Sequence, residues 1–309
     1  MENLVKNRSE IIFCYDIKDA NPNGDPLDNN KPRLDEETGE NLVTDVRLKR
    51  TIRDYMFEYK GYNGIGDKDI FVREIVYDDK NGFINDGKKR SKDFKEDAKI
   101  ILDTCADIRM FGGVLPLTKD SITFTGPVQF RMGRSMHRVN NQFIKGTGAF
   151  ASGEKKKQST FREENLLSYS FINFYGIINE KAGEKTNLNN EDVNLLMEGI
   201  WEGTKNIISR SKFGQMPRLL IKINYSKKGF YIGDINKSIK LISDKEDEAI
   251  RGLEDFVINV DELKRLLKKY EDKIESVEYL VDDRLNLVIG EKNIQIEELL
   301  EGKMKEIKY

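Results

Sequence analysis

Residues 11–17 read IIFCYDI and residues 44–59 read TDVRLKRTIRDYMFEY, and this pair of segments decides the fold class. The first is a β-rich run with apolar residues on both faces, as an inner strand requires. In the second, Thr44 stands at an N-cap and Asp45 in the first turn, where a negative charge suits the helix dipole. Leu48, Ile52, Tyr55, Met56 and Tyr59 recur at helical spacing, with Arg47, Arg50 and Arg53 opposite and Lys49 flanking. Outward from this strand and helix, the alternation of Ile122, Phe124, Val128 and Phe130 with Thr123, Thr125, Gln129 and Arg131 predicts a strand over 121–131. Leu167, Tyr169, Phe171 and Tyr175 predict another over 167–178. Asn190 can cap a helix over 191–209 with the stripe Val193, Leu196, Met197, Ile200, Trp201, Thr204, Ile207 and Ile208. Leu219, Ile221, Ile223 and Tyr225 share one face of a strand over 218–225. The order is βαββαβ, an α+β class with a ferredoxin-like (RRM-like) core in 1–59, 121–131 and 166–225.

Two connections are far longer than core connections usually are, which marks 60–120 and 132–165 as insertions of functional weight. The first is expected to hold a strand over 71–77, a turn at Gly82 and a helix over 92–108. Residues 226–309 read as an α/β extension packed on the core: a hairpin at 230–234, a helix from Asp261 to about Ile274, strands over 277–281 and 285–289, and a helix over 294–301.

Of 309 residues, 52 are basic and 54 acidic, a net charge of −2. The single histidine, His137, excludes a two-histidine ribonuclease site and an HExxH zinc site. Two cysteines without a CxxC pair exclude a disulfide scaffold and a cysteine zinc cluster. No apolar run approaches the ~20 residues that span a bilayer, and the N-terminus lacks the order of a signal peptide. A soluble, cytoplasmic protein is expected. The near-neutral total hides opposed blocks. Between Arg131 and Arg162 eight basic residues face one acidic residue, Glu154, a net +7; from Asp244 to Tyr309 nineteen acidic face twelve basic residues, a net −7. Such blocks suggest a polyanion site in one place and acidic surface elsewhere.

The loop DANPNGDPLDNN offers Asp19, Asn21, Asn23 and Gly24 at the first positions of a calcium loop, but Asn30 replaces the closing glutamate, and no calcium site is read here. The loop is either a functional one presenting amides to a ligand or a plain Asx/Pro turn. GYNGIGDKD at 61–69 lacks the GK[ST] ending of a phosphate loop. Asp16, Asp19 and Asp25 invite a metal reading, but no partner base is evident. The Arg47, Arg50 and Arg53 face begins at a helix N-terminus, a natural phosphate site, and is otherwise a solvated face. The segment ISRSKFGQMPR carries Arg210, Lys212 and Arg218 around a glycine. In 131–162, Phe143, Phe150 and Phe161 are interleaved with cations, as in single-strand binders that stack bases while tracking phosphates.

NPNGDP (21–26), TGENLVTDVRLKRTIRDY (38–55), ADIRMFGGVL (106–115), ITFTGPVQF (122–130) with SMH (135–137), and SRSKFGQ together resemble the DevR-like backbone subunits of type I CRISPR–Cas effector complexes, the seventh Cas family. The similarity leans toward subtypes I-B and I-C. It implies a right-hand shape, with the ferredoxin-like core as palm, 60–120 as fingers and 132–165 as thumb. It implies a non-catalytic subunit that polymerises along a CRISPR guide RNA and presents it to target DNA, so that base pairing reads the sequence. Its partners would be the guide, target DNA through the guide, copies of itself and other Cascade subunits. No cofactor, metal or membrane is implied. Asn21, Asn23, Arg47, Lys49, Arg50 and Arg53 would be palm contacts to RNA. Arg134, Ser135, His137 and Arg138 would open the thumb, with Lys145, Lys155, Lys156 and Lys157 along it, and Arg210, Lys212 and Arg218 would contact RNA from the turn between the second core helix and the last core strand. The alternative is a metal-dependent ribonuclease of the type III backbone kind, using Asp19 or Asp25.

Overall fold

The computed structural model describes residues 3–78, 81–151 and 159–309. Among them, nine strands form a central sheet: β1 (Ser9–Ala20), β2 (Glu40–Val43), β3 (Val128–Phe130), β4 (Gly133–Arg138), β5 (Asn141–Ala151), β6 (Ser159–Ile178), β7 (Met216–Tyr225), β8 (Ile274–Val281) and β9 (Met304–Glu306). The spatial order is β9-β8-β7-β1-β6-β4-β2, and β3 and β5 pair with other stretches of β6. All pairs are antiparallel except β8 with β9. The helices are α1 (Asp45–Tyr59), α2 (Gly87–Asp93), α3 (Ala98–Thr104), α4 (Ala106–Phe111), α5 (Glu180–Thr186), α6 (Asn190–Lys205) and α7 (Asp261–Lys269).

The doubly apolar pattern of IIFCYDI has a direct cause. Ile11, Phe13, Tyr15 and Ile17 enter one core with Ile52 and Met56 of α1 and Leu196 and Ile200 of α6. Ile12 and Cys14 enter a second core with Ile258, Leu263 and Leu267 from the C-terminal part. Both faces of the sheet are thus covered, and β1 sits between them. Thr44 caps α1 as its sequence predicts, accepting from the Arg47 N–H at 3.2 Å. The cap of α6 is Asn189 rather than Asn190, in a reciprocal capping box with Asp192. The two helices lie close because Gly199 and Gly203 face Ile52 and Tyr55. A Cβ at either glycine would stand 3.0 Å from the Ile52 Cγ2 or the Tyr55 Cβ.

Several expected elements are divided. The strand over 121–131 is two: Ser121–Thr125 pairs with Gly112–Pro116 in a separate ribbon, and only β3 joins the sheet. Gly112 makes that ribbon possible, since its φ is +65° and a Cβ there would meet the Phe124 carbonyl. The helix over 92–108 is divided twice: Lys95 and Glu96, both at positive φ, separate α2 from α3, and Cys105, in extended backbone, separates α3 from α4. The strand over 71–77 is confined to Val76–Asp78. At 230–234 there is no strand, α7 stops at Lys269, and a 3₁₀ turn over Ile296–Leu299 replaces the last helix. The stretch from 132, which shows no clean period in sequence, begins as a sheet strand, β4. Beyond it β5 and β6 form a long antiparallel ribbon, with Asn141 opposite Leu167 and Lys145 opposite Glu163.

One buried carboxylate fastens the C-terminal part to this frame. Glu10, at 0% exposure in β1, accepts from the Tyr175 hydroxyl at 2.5 Å, the Tyr225 hydroxyl, and the N–H groups of Ile232 (2.8 Å) and Gly233 (2.9 Å). A charge so enclosed is tolerable because every oxygen is met by donors.

Candidate nucleic-acid interface

The NPNGDP loop braces its own surroundings. Asn23 Oδ1 accepts from both the Thr44 N–H and hydroxyl at 2.9 Å, fixing the start of α1. Asn21 is buried and donates through Nδ2 to the Asn30 carbonyl at 2.6 Å, while its Oδ1 has no partner. Asp25 binds the Arg33 guanidinium at 2.7 Å and accepts from the Leu27 N–H.

The three arginines of α1 do not act together. Arg53 binds the fully buried Asp107 at 2.9 Å and lies over the Phe111 ring; Asp107 also accepts from the N–H groups of Phe71 and Val72. Arg109 makes a two-pronged pair with Asp192 at 2.8 and 2.7 Å. The ADIRMFGGVL motif is therefore the joint between the 60–120 insertion and helices α1 and α6. Lys49 pairs with Asp45, and Arg50, exposed, with Asp54 at 2.6 Å. Only Arg47 turns toward the loops. Its Nη2 donates to the Thr51 hydroxyl at 3.1 Å, and its buried Nε has no partner.

In the same neighbourhood is Lys212, half-buried in the turn between α6 and β7: the start of α1 is tied to Asn23 and this turn to Asn21. Burial, then the neighbouring Arg47, holds the Lys212 ammonium below its ordinary pKa. Burial also lowers that of Arg47, against the pull of Asp54 and Tyr15. Among the described residues neither cation has an ion-pair partner. The turn is anchored, with the Asn21 N–H donating to the Ser211 carbonyl at 2.7 Å. Arg210 reaches Glu164 of the β5–β6 ribbon at 3.0 Å. On the ribbon, Lys145 is exposed, lies over the Phe143 ring and pairs with Glu163 at 3.4 Å. The end of β1, the start of α1, the 206–214 turn and the base of the ribbon thus converge, with cations outnumbering their carboxylate partners.

Other expected contact residues are turned inward. Ser135, 2% exposed, accepts from the Asn41 N–H and donates to the His137 carbonyl. His137, 3% exposed, is stacked on Tyr169 with both ring nitrogens bonded. Arg218 is buried between Asp16 and Asp282, at 2.9 Å from each. Ser135 and His137 are buried with their polar side-chain atoms bonded within the chain, and Arg218 is buried against two carboxylates, so the structure turns these three inward. Arg134 is exposed but shared between Asp35 and Glu40; Arg138 is exposed with Glu248 at 3.7 Å. Lys155, Lys156 and Lys157 lie outside the described residues, as do the side chains of Phe150 and Phe161.

For the metal alternative, Asp16 is buried, occupied by Arg218 and the Tyr169 hydroxyl, and shifted upward in pKa chiefly by burial. Among the described residues no group of three or more His, Cys, Asp or Glu side chains is arranged to hold a metal. No helix among them is long and apolar enough to cross a membrane. Sequence reasoning did not single out Phe213, which is 66% exposed beside Lys212; its position after two cations and directly before a glycine in SRSKFGQ was the available signal.

The sequence profile of CRISPR-associated protein Cas7 matches residues 7–261. A CRISPR-associated protein Cas7 of Haloferax volcanii is 32% identical over 321 aligned positions, covering 94% of this chain and 92% of that protein. The fold is similar to a chain of a CRISPR RNA-guided surveillance complex in a pre-nicking state, with a TM-score of 0.55 at 10% identity, covering 91% of this chain and 94% of that one. A chain of another CRISPR RNA-guided surveillance complex gives 0.52 at 12% identity, with 90% of each covered. By profile and by curated relative alike, the chain belongs to the CRISPR-associated Cas7 family.

Proposed function

We propose that this protein is a non-catalytic backbone subunit of a type I surveillance complex, of the I-B/I-C kind, that binds CRISPR guide RNA in many copies and holds it for pairing with target DNA. The observation that carries the reading is the Arg47–Lys212 pair. Two half-buried cations in one neighbourhood, neither with an ion-pair partner among the described residues, repel, and a phosphate bound by both would relieve both desolvation and repulsion. The antiparallel order β7-β1-β6-β3 with α1 and α6 on one face supports a ferredoxin-like palm. On this reading 60–120 forms the fingers, the ribbon within 132–165 the thumb, and 226–309 a cover on the second face of the palm. The complex works in the cytoplasm with other Cascade subunits.

The test is direct. Purified protein is expected to carry nucleic acid, seen in its absorbance ratio and in extracted RNA, and to form oligomers whose length follows the guide and which RNase shortens. Mass photometry showing only monomers on a long guide RNA would remove the proposal. Metal-dependent cutting of complementary RNA, abolished by Asp19→Ala or Asp25→Ala, would replace it with the ribonuclease.

A further inference from the structure

The turn between α6 and β7 carries two large apolar side chains in the open, Ile208 at 73% and Phe213 at 66% exposure. The turn itself is not loose. The N–H groups of Lys212 and Phe213 both donate to the Ser209 carbonyl, at 3.1 and 2.7 Å, and Ser211 is held by Asn21. Gly214 follows at φ +86°, a conformation that L side chains rarely adopt, and turns the chain into β7 directly after Phe213. The ring therefore stands on a fixed base, with two rotatable bonds to order. Arg210 and Lys212 precede it in the same turn; Arg210 reaches Glu164, and Lys212 lies in the neighbourhood of Arg47 with no ion-pair partner among the described residues.

We infer that Phe213 is a stacking platform for a nucleobase of the bound strand, with Lys212 and Arg47 taking an adjacent phosphate. The inference rests on the guide-RNA reading above and adds a positioning residue to it. The charge around the ring selects the occupant. A single strand places a flat apolar face within one nucleotide of an anion, which is the pairing of surfaces that this turn offers. A partner protein would need acidic residues beside an apolar one at the same spacing.

The experiment uses the full chain and a synthetic single-stranded RNA carrying 2-aminopurine at successive positions. Wild-type protein should change the fluorescence of the analogue at recurring positions. Phe213→Ala should abolish that change and weaken binding roughly 10-fold, within the range of one base–aromatic stack. Phe213→Tyr should retain both. The salt slope of Phe213→Ala should equal that of wild type because no charge is lost, and its melting temperature should be unchanged because the ring is exposed. Failure of the wild type to bind RNA would remove the proposed function itself. Wild-type binding with identical fluorescence and affinity in Phe213→Ala would overturn this inference alone. So would a Phe213→Ala protein with unchanged fluorescence that no longer self-associates, since the ring would then be a contact between copies.

Discussion

Nε2 of His137 accepts the backbone N–H of Phe171 at 3.3 Å, across the pairing of β4 with β6. Its Nδ1 faces the Arg138 carbonyl at 2.8 Å and therefore carries the proton, an assignment made from these partners. Protonation would place a second N–H against that of Phe171. Burial, the leading cause, holds the ring below its ordinary pKa. Above about pH 6.5, the unperturbed value, both folded and unfolded chains are neutral here and the linkage vanishes. As pH falls below that value the unfolded chain takes up a proton that the folded one refuses, and stability drops until the folded pKa is reached. Wild type should lose stability relative to His137→Gln between about pH 6.5 and 5. Denaturant titrations across this window measure the difference, and equal slopes for the two proteins would contradict it.

Arg53 is expected to matter for stability rather than for RNA contact. Asp107 is fully buried, and removing its cation leaves a charge with only the Phe71 and Val72 N–H groups. Arg53→Ala should cost about 3–5 kcal/mol, the scale for breaking a buried pair. Equilibrium unfolding reads the loss. Arg50→Glu, at an exposed position, should move stability by well under 1 kcal/mol, about the size of an i,i+4 pair.

Of the cations that the sequence reading assigns to RNA, Lys212 should carry more of the electrostatic part of binding than Arg50 or Arg53. Neutralising one phosphate contact changes the single-strand salt slope by about 0.7. Lys212→Ala is expected to flatten the plot of log affinity against log salt by that amount, whereas Arg50→Ala leaves it nearly unchanged. A reversed result, with Arg50 altering the slope and Lys212 not, would move the groove to the other side of α1.

The ribbon should be separable from the fold. Its described flank beyond Asn141 is exposed, with Phe143 at 53% and Ile144 at 44%, whereas Leu167 onward is core. Replacing 143–163 by a short Gly/Ser turn should leave the melting temperature within a few degrees while weakening guide binding and erasing any periodic pattern in chemical probing of the bound RNA. Loss of the melting transition would mean that the ribbon supports the palm.

Much of this architecture is legible from local pattern. The alternation in β1, β6 and β7 and the stripe of α1 survive in the structure because both sheet faces are buried. A one-residue slip of β1 would exchange the side chains filling the two cores, Ile11, Phe13, Tyr15 and Ile17 for Ile12 and Cys14, so packing on both faces fixes register as well as type. Elements whose limits depend on backbone strain were not legible. Nothing local in KEDA marks Lys95 and Glu96 for positive φ, and the alternation across 121–131 continues through a Gly-Pro pair that separates two ribbons.

The sequence by itself determined the inner strand β1, the helices α1 and α6, the strand β7, the cap at Thr44 and the membership of the motifs in one family. It also assembled a set of cations and amides without their orientations. Tertiary structure alone decided which of them face solvent. Arg53, Ser135, His137 and Arg218 are polar residues drawn inward because Asp107, Asn41, Phe171 and Asp16, distant in the chain, meet their hydrogen-bonding needs. Arg47 and Lys212, 165 positions apart in the sequence, come into one neighbourhood because β1 lies beside β7 and the turn before β7 is tied to Asn21. Helical and strand periods report burial along one element. The pairing of a charge with a partner depends on contacts between elements, which no period in the chain records.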